Sequence, residues 1–281
     1  MTNQVIQHSQ EVQRGERFEF GDNWRQFLSV LNEERIIEAE RSLRAMLGKD
    51  TLSGLRFIDI GSGSGLFSLA ARRLGAAVFS FDYDPQSVAC TAELKRRYFF
   101  EDNDWQVEQG SALDDQYLAK LGKFDVVYSW GVLHHTGEMW KALKNVMPLI
   151  ANQGTLFIAI YNDQGGPSRR WLAAKRFYNR SPGWLRKLMV LSIAGYWELN
   201  FVLIRLVRGQ NPLPFKDWKL REERGMSVWH DWVDWIGGYP FEVAKPEQIF
   251  DFYRDRGFIL TKLKTCGGGI GCNEFVFRKV N

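Results

Sequence analysis

The chain has 281 residues, of which 45% are hydrophobic and 25% are charged, and its formal net charge is +4. This composition excludes a disordered chain and is typical of one large folded unit or of a core domain with a smaller cap. The three cysteines form no CxxC pair and no cluster with the four histidines, so neither a structural zinc nor a disulfide framework is predicted.

The first predicted elements form a cap. Residues 1–20 are polar and predict a loosely ordered segment without the basic and apolar stretches of a secretory leader. Free cysteines without such a leader favour a reducing, cytoplasmic compartment. Two helical patterns follow, the first with apolar residues from Phe27 to Leu31 and the second over Glu33–Leu47. We expect residues 1–48 to cover the opening of a sheet.

A glycine-rich loop follows the first predicted strand, which contains Asp59 and ends at Ile60. The loop contains Gly61, Ser62, Gly63 and Gly65. Glycine lets a backbone turn sharply and approach a ligand, and the apolar run from Leu66 predicts a helix whose N-terminus faces that ligand. The spacing is GxGxG, because Leu66 occupies the place of the third glycine in a dinucleotide-binding loop.

Polar residues also follow the next three predicted strands. Asp82 ends the second strand, just before Tyr83, and an acid at this position can accept hydrogen bonds from both hydroxyls of a ribose. The third strand, near 105–109, is followed by Gly110, Ser111 and Ala112. The fourth strand, near 124–130, ends at Trp130 and is followed by Val132, Leu133, His134 and His135.

These four segments, in this order, resemble the S-adenosylmethionine site of class I methyltransferases. The segment Val132–His135 is similar to that of methyltransferases related to the ubiquinone-biosynthesis O-methyltransferases. The resemblance covers roughly residues 50–162 and, more loosely, the last forty residues. It implies a methyltransferase with S-adenosyl-L-methionine as cofactor. The cofactor-binding residues that it implies are Asp59, Gly61, Ser62, Gly63, Gly65, Asp82, Tyr83, Ser111, Ala112 and Trp130. Ser111 stands where the family usually has an acid.

Strands and helices alternate through the core, with a fifth strand near 154–161, which predicts a parallel, doubly wound sheet. Segments 257–265 and 274–279 predict a closing hairpin, and the resemblance implies that the final strand is antiparallel. The predicted fold is a seven-stranded, mostly parallel, Rossmann-like α/β sheet. A single domain, 1–281, would comprise the 1–48 cap, a cofactor-binding core (49–162), a lid insertion (163–240), and a C-terminal helix and hairpin (241–281).

The insertion holds seven of the eleven tryptophans. Between Asp163 and Met226 it also has thirteen Lys or Arg and five Asp or Glu. This charge is typical of a solvated helical face, or of a basic lid that faces an anionic substrate or an anionic membrane. Nucleic acid is disfavoured as a partner, since no recognised binding motif accompanies the charge.

One segment of the insertion, Leu188–Val207, is strongly apolar. Glu198, Asn200 and Arg205 disfavour a membrane-spanning helix, because charge within a span is costly. Positions 189, 193, 196, 197, 200, 203, 204 and 207 share one face of a helix. That face is predicted to pack on the lid or to lie on a membrane, which would make the protein peripheral to the inner membrane face.

Methyl transfer to oxygen needs an aligned nucleophile and a base, and histidine is the side chain best suited to that role near neutral pH. His134 and His135 follow the fourth strand, and the resemblance favours His135. His230 is an alternative base, because Asp234 lies one helical turn later and can orient its ring. The competing interpretation is that these histidines only shape the pocket.

The acceptor is predicted to be a small molecule that is aromatic, glycosidic, anionic or lipid-linked. The candidate substrate-binding residues are Trp24, Arg169, Trp229, Trp232, Tyr239 and Glu242. The alternative is that the tryptophans of 229–235 pack a surface helix. No acid-rich cluster follows the fourth strand, so no metal is predicted.

Three functions remain open at this stage: O-methylation with a histidine base, S-methylation of a small thiol or sulfide, and cofactor binding without catalysis. A thiolate needs little help from a base, which keeps the second function open. A nicotinamide oxidoreductase is disfavoured by Leu66 and Asp59. The sequence makes no prediction of the oligomeric state.

Overall fold

The computed structural model describes residues 3–21, 24, 28–29, 31–211, 228–269 and 271–280. For residues 3, 228–231 and 234 it describes the backbone alone. The described helices are α1 (Asn3–Gln13), α2 (Glu33–Leu47), α3 (Leu66–Arg73), α4 (Pro85–Tyr98), α5 (Asp115–Leu121), α6 (Met139–Asn145), α7 (Gly166–Arg180), α8 (Gly183–Val207), α9 (Val228–Gly237) and α10 (Pro246–Arg254). The strands are β1 (Arg56–Ile60), β2 (Ala77–Asp82), β3 (Trp105–Gln109), β4 (Phe124–Trp130), β5 (Ile150–Tyr161), β6 (Phe258–Lys264) and β7 (Cys272–Lys279).

The strands form one sheet in the order β3-β2-β1-β4-β5-β7-β6. Strands β1 to β5 are parallel, and β7 runs antiparallel to both of its neighbours, β5 and β6. This confirms the predicted seven-stranded, mostly parallel α/β sheet with a closing hairpin. Strand β5 begins at Ile150, before the predicted start near 154, because Ile150 already pairs with Phe124 ahead of an irregularity in the register.

Alternation along the central strands separates two hydrophobic clusters. On β1, Ile58 and Ile60 belong to the cluster on one face of the sheet, whereas Phe57 packs with Tyr128 in the cluster on the other face. Successive side chains of a strand point to opposite faces, so a strand buried on both faces reads as an apolar run. Helices cover both faces and leave the carboxyl ends of β1 to β4 as the place for a site.

The N-terminal segment differs from its prediction. Residues 3–13 form helix α1, although the polar sequence predicted a loosely ordered segment. Its polar side chains are held by tertiary contacts: Glu11 accepts hydrogen bonds from Arg17 at 2.7 Å and from the hydroxyl of Tyr83 at 3.2 Å. His8 is 3% exposed, with Nε2 3.8 Å from Asp84 Oδ2. The polar side chains of this segment therefore hold α1 against the core by hydrogen bonds and close charged contacts.

In the insertion, α7, α8 and α9 pack around a small cluster formed by Tyr178, Val190 and Ile236. The face predicted for α8 packs on the insertion only in part. Met189 and Ile193 contact this cluster, but Tyr196 and Val207 are 65% and 90% exposed. The two buried residues of the helix, Val190 and Ala194, both lie in its first half, because α7 and α9 support only that half.

Candidate active site

A cleft of about 1730 Å³ lies at the carboxyl ends of the parallel strands. Its walls come from the loops after β1, β2, β3 and β4, from α1, α2 and the segment between them, and from Tyr161, Trp235 and the ends of β6 and β7. Pockets for one drug-sized ligand have volumes of roughly 300–1,000 Å³. The cleft therefore has room for a cofactor and an acceptor together.

The glycine loop forms a cradle that larger residues would fill. Gly61 has a φ of +78°, and a Cβ there would lie 2.3 Å from Val132 Cγ1. Gly63 has a φ of +55°, and a Cβ there would lie 3.1 Å from the indole of Trp24. Glycine alone meets both the positive φ and the close approach. The loop is thus shaped for a ligand that contacts its backbone.

Asp59 lies near the end of β1, just before this loop, and Asp82 lies at the end of the neighbouring strand β2. Asp82 accepts hydrogen bonds from the backbone amides of Gly63 and Asp84, each at 2.9 Å. Asp59 accepts one from Ser68 Oγ at 2.6 Å. A carboxylate has about four acceptor positions, so Asp82 retains two for a pair of ribose hydroxyls. This spare capacity fits the predicted cofactor.

Burial raises the pKa of Asp59 to about 7, with Asp82 adding to the effect, and burial raises that of Asp82 to about 7, with Asp84 adding to it. The folded chain therefore holds protons that the unfolded chain releases between about pH 4 and 7. Over that window the two carboxyl groups lower the free energy of unfolding as the pH rises. Above about pH 7 they change it no further.

We expect the affinity for S-adenosylmethionine to increase with pH up to about 7 and to level off above it. Ionised Asp82 accepts both ribose hydroxyls, whereas its protonated form has lost acceptor capacity. With one proton released on binding, the dissociation constant should rise about tenfold per pH unit below 7. Calorimetric titration on both sides of pH 7 measures this, and Asp82→Asn should flatten the profile. A dissociation constant independent of pH in the unmodified chain would contradict the assignment.

The two histidines after β4 have different surroundings. Leu133–His135 form a single 3₁₀ turn, in which His134 is fully buried and His135 is 8% exposed and borders the cleft. His135 Nδ1 lies 2.5 Å from the carbonyl oxygen of Pro240. His134 Nδ1 accepts a hydrogen bond from the backbone amide of Tyr161 at 3.4 Å. Only His135 is placed to meet an acceptor; His134 lies behind it.

Both imidazoles are kept neutral. Burial is the main cause that lowers the pKa of His134 well below its usual range, with nearby His135 and Lys175 adding to it. Burial likewise is the main cause that lowers the pKa of His135 to about 3. The hydrogen bond to Pro240 raises this pKa, whereas the positive charges of Lys175 and Arg17 lower it further. Because a carbonyl can only accept, Nδ1 of His135 carries the proton and Nε2 carries the free lone pair.

Residues 58–156 match a family model described as a methyltransferase domain. The ubiquinone biosynthesis O-methyltransferase of Caulobacter sp. (strain K31) is 29% identical over 136 residues, which are 48% of this chain and 51% of that relative. The enzyme of the same name from Parvibaculum lavamentivorans is 34% identical over 114 residues, 38% of this chain and 41% of its own. Residues 58–156 are therefore assigned to a methyltransferase domain, and the sheet around them has the Rossmann-like fold of class I, S-adenosylmethionine-dependent methyltransferases. The matched stretches span about half the length of these relatives or less.

The fold of this methyltransferase domain also has a solved counterpart. Magnesium protoporphyrin IX methyltransferase from Synechocystis PCC 6803, solved with bound SAH, superposes with a TM-score of 0.54 at 16% sequence identity. The superposition covers 92% of this chain and 93% of that one, so the shared fold extends well beyond residues 58–156. At this identity the likeness concerns the fold alone.

Nearly all residues predicted to bind the cofactor border the cleft of the methyltransferase domain. They are Asp59, Gly61, Ser62, Gly63, Asp82, Tyr83, Ser111, Ala112 and Trp130. Gly65 does not border it: its φ is +81° and a Cβ there would lie 2.8 Å from Thr91 Cα, so this glycine lets α3 pack on α4. Trp24, predicted to bind the acceptor, covers Gly63 instead. It therefore stands on the cofactor side.

Four residues predicted to bind the acceptor lie away from the cleft. Trp232 packs against the small cluster of the insertion. The hydroxyl of Tyr239 accepts a hydrogen bond from Arg176 at 3.3 Å, outside the cleft. Glu242 accepts one from the backbone amide of Met139 at 2.9 Å, at the start of α6. Arg169 is exposed on α7. These four residues therefore pack in the insertion, bond to neighbouring groups or lie at the surface, and none of them borders the cleft.

Three further predictions concern Trp229, His230 and Asp234. Their backbone lies in α9, as the helical spacing predicted. Their side chains lie outside what the structure describes. The pairing of His230 with Asp234 and the role of Trp229 therefore stay predictions. Among the described residues, no group of three His, Cys, Asp or Glu residues could hold a metal ion.

Several residues at the cleft were missed by sequence reasoning. Tyr161 ends β5, and its ring lies 5.3 Å from that of His135 and 5.7 Å from that of Trp235. Phe20 approaches His135 from the N-terminal side at 5.0 Å. Arg17 donates a hydrogen bond to the backbone oxygen of His135 at 3.1 Å. Only Tyr161 carried a signal, since it ends a parallel strand next to β4.

Proposed function

We propose that this chain methylates an oxygen of a small aromatic acceptor, with S-adenosyl-L-methionine as the methyl donor and His135 as the proton acceptor. The observation that carries the proposal is that one cleft joins the glycine loop, Asp82 and His135. A methyl donor and an acceptor hydroxyl can therefore meet within it. When bound, the cofactor supplies a methyl group already activated on a sulfonium.

The tautomer of His135 supports a role in holding the acceptor. Its Nδ1–H donates to Pro240, which fixes the ring and leaves the Nε2 lone pair as the free acceptor. An acceptor hydroxyl that donates to Nε2 would be oriented for in-line displacement. As the methyl group transfers, the hydroxyl proton passes to Nε2 and the imidazole becomes an imidazolium.

The surroundings of His135 favour an aromatic acceptor that becomes anionic. The cleft offers the aromatic faces of Phe20, Trp130, Tyr161 and Trp235. The ring centroids of Phe20 and Tyr161 lie 5.0 Å and 5.3 Å from that of His135. Lys175 is 1% exposed, and its ammonium donates to the backbone oxygen of Trp235. Its positive charge lowers the pKa of both histidines, and the same field stabilises negative charge that develops on the acceptor oxygen.

The N-terminal cap supports the exclusion of water. Trp24 covers Gly63 of the loop, and Phe20 packs beside His135, so apolar rings enclose the cleft on this side. Desolvation strengthens the electrostatic interactions inside a site and prevents loss of the methyl group to water. Orientation by His135 and enclosure by the cap are the two contributions that this chain would make.

A transfer assay tests the proposal. The purified chain is incubated with methyl-labelled S-adenosylmethionine and matched panels of phenols, thiols and amines. We expect label in the phenol products, with larger kcat/KM for acceptors that carry an aromatic ring than for aliphatic alcohols. Asp251→Ala, on the exposed face of α10, serves as the control for preparation effects. Tight cofactor binding without transfer to any hydroxyl would overturn the proposal.

S-methylation of a small thiol is the second candidate, and one observation favours it. A pKa of about 3 makes His135 a weak base, and the pKa of a thiol lies about 1.5 units below that of a phenol, so the thiol ionises more readily. On this alternative His135 would position the acceptor without removing a proton. Transfer of label to thiols, with none to phenols or amines, would support S-methylation over O-methylation.

A further inference from the structure

Helix α8 is unusual for its exposed apolar surface. It has 25 residues and is long and apolar enough to cross a membrane, yet only 11% of its most apolar 18-residue stretch is buried. A core helix of the same composition would be mostly buried. Most of the apolar surface of α8 is therefore left uncovered by the described residues.

Five of the exposed apolar residues of α8 form a stripe. Its members are Trp184 (69% exposed), Leu188 (52%), Leu191 (59%), Leu199 (59%) and Leu206 (52%). With 3.6 residues per turn, these positions fall on one side of the helix. The buried Val190 and Ala194 face the other way, toward the small cluster of the insertion. We call these five residues the apolar stripe.

The same two helices carry a strong positive charge. From the start of α7 to the end of α8 there are eight Lys or Arg and one acidic residue, Glu198. Arg169, Arg170, Arg180 and Lys187 are exposed, and none of them forms an ion pair with another described residue. An apolar stripe on a pair of helices with a net positive charge matches an anionic interface.

We propose that α7 and α8 dock on a lipid bilayer that contains anionic lipids, with the apolar stripe in the interfacial region. A second copy of the chain is the weaker occupant, because two surfaces of the same positive charge would be brought together. The helix lies on the bilayer without crossing it, since Val190 and Ala194 tie its first half to α7 and α9 and Glu198 carries charge in its second half. Vesicle binding needs no methyl transfer, so this inference is independent of the proposed function.

Vesicle co-sedimentation of the full chain tests the inference. The probes are vesicles of phosphatidylcholine alone and of an equal mixture of phosphatidylcholine and phosphatidylglycerol. We expect binding to the anionic vesicles, weaker binding to the neutral ones, and loss of the difference at high salt. The double variant Leu191→Ser/Leu199→Ser should bind at least ~10-fold more weakly, because it removes two large apolar side chains from the interface.

The matched control is Ile259→Ser/Leu263→Ser, which changes two exposed apolar residues of β6 (48% and 45% exposed) and should leave vesicle binding unchanged. Unchanged S-adenosylmethionine binding by both double variants verifies that they fold. Absence of binding to anionic vesicles, or equal binding by the stripe variant, would overturn the proposal. Sedimentation equilibrium that shows a dimer lost only in the stripe variant, with no vesicle binding, would assign the surface to a second copy instead.

Discussion

Asp82→Ala is expected to weaken S-adenosylmethionine binding about 100-fold or more. Asp82 is the carboxylate at the tip of β2, and it has acceptor capacity left after its bonds to Gly63 and Asp84. Hydrogen bonds to a charged group contribute about 1.5–3 kcal/mol each, so loss of two such bonds to a ribose corresponds to at least this factor. Calorimetric titration gives the dissociation constant directly.

Two further variants make the Asp82 result specific. Asp82→Asn keeps the shape and a neutral acceptor and should fall between the unmodified chain and the alanine variant. Asp251→Ala removes an exposed carboxylate far from the cleft and should bind as the unmodified chain does. Because Asp82 also holds Gly63, thermal unfolding of each variant must show a folded protein. Binding by folded Asp82→Ala that equals that of the unmodified chain would refute the cofactor site.

His135→Ala is expected to lower kcat for hydroxyl acceptors by about 10²–10⁴-fold, the usual contribution of a positioned acid–base group. The dissociation constant for S-adenosylmethionine should change little, because His135 faces the acceptor side of the cleft. Since its pKa is about 3, kcat of the unmodified chain should show no histidine titration near pH 6.5. Single-turnover measurements with labelled cofactor would separate this effect from product release.

Tyr239→Phe is the control for His135→Ala. It removes a hydroxyl that contacts Arg176 outside the cleft and leaves the aromatic ring in place, so kcat should stay within about twofold of the unmodified value. Equal kcat in His135→Ala and the unmodified chain, with hydroxyl acceptors, would rule out His135 as the proton acceptor. Unchanged turnover of thiols alone would support the S-methylation alternative.

The cofactor side of the site was predictable because its signals are local. Asp59 and Asp82 each sit at the end of a strand, and parallel strands bring their carboxyl ends to one edge. The glycine spacing and the alternation of strands and helices were therefore enough to predict both the parallel topology and the cofactor side of the cleft. The closing hairpin was equally local, since β6 and β7 are joined by a short glycine-rich turn.

The acceptor side was not predictable because it depends on contacts between distant segments. Trp232 and Trp235 are three residues apart on α9, yet one packs in the insertion and the other reaches the cleft. The orientation of a helix that carries tryptophans on several sides is set by its partners, here α7 and α8. Arg17 gave no sequence signal at all, because its contact with His135 spans 118 residues.

The contacts of the N-terminal cap have a consequence for the order of events in a catalytic cycle. Arg17 ties the cap to the backbone of His135, and the amide of Gly21 ties it to the carboxylate of Asp84 at 2.8 Å. One segment thus bridges the histidine turn and the turn after β2, on opposite sides of the glycine loop. Because this segment borders the cleft, we expect it to move when spent cofactor leaves, with both hydrogen bonds breaking as it does so.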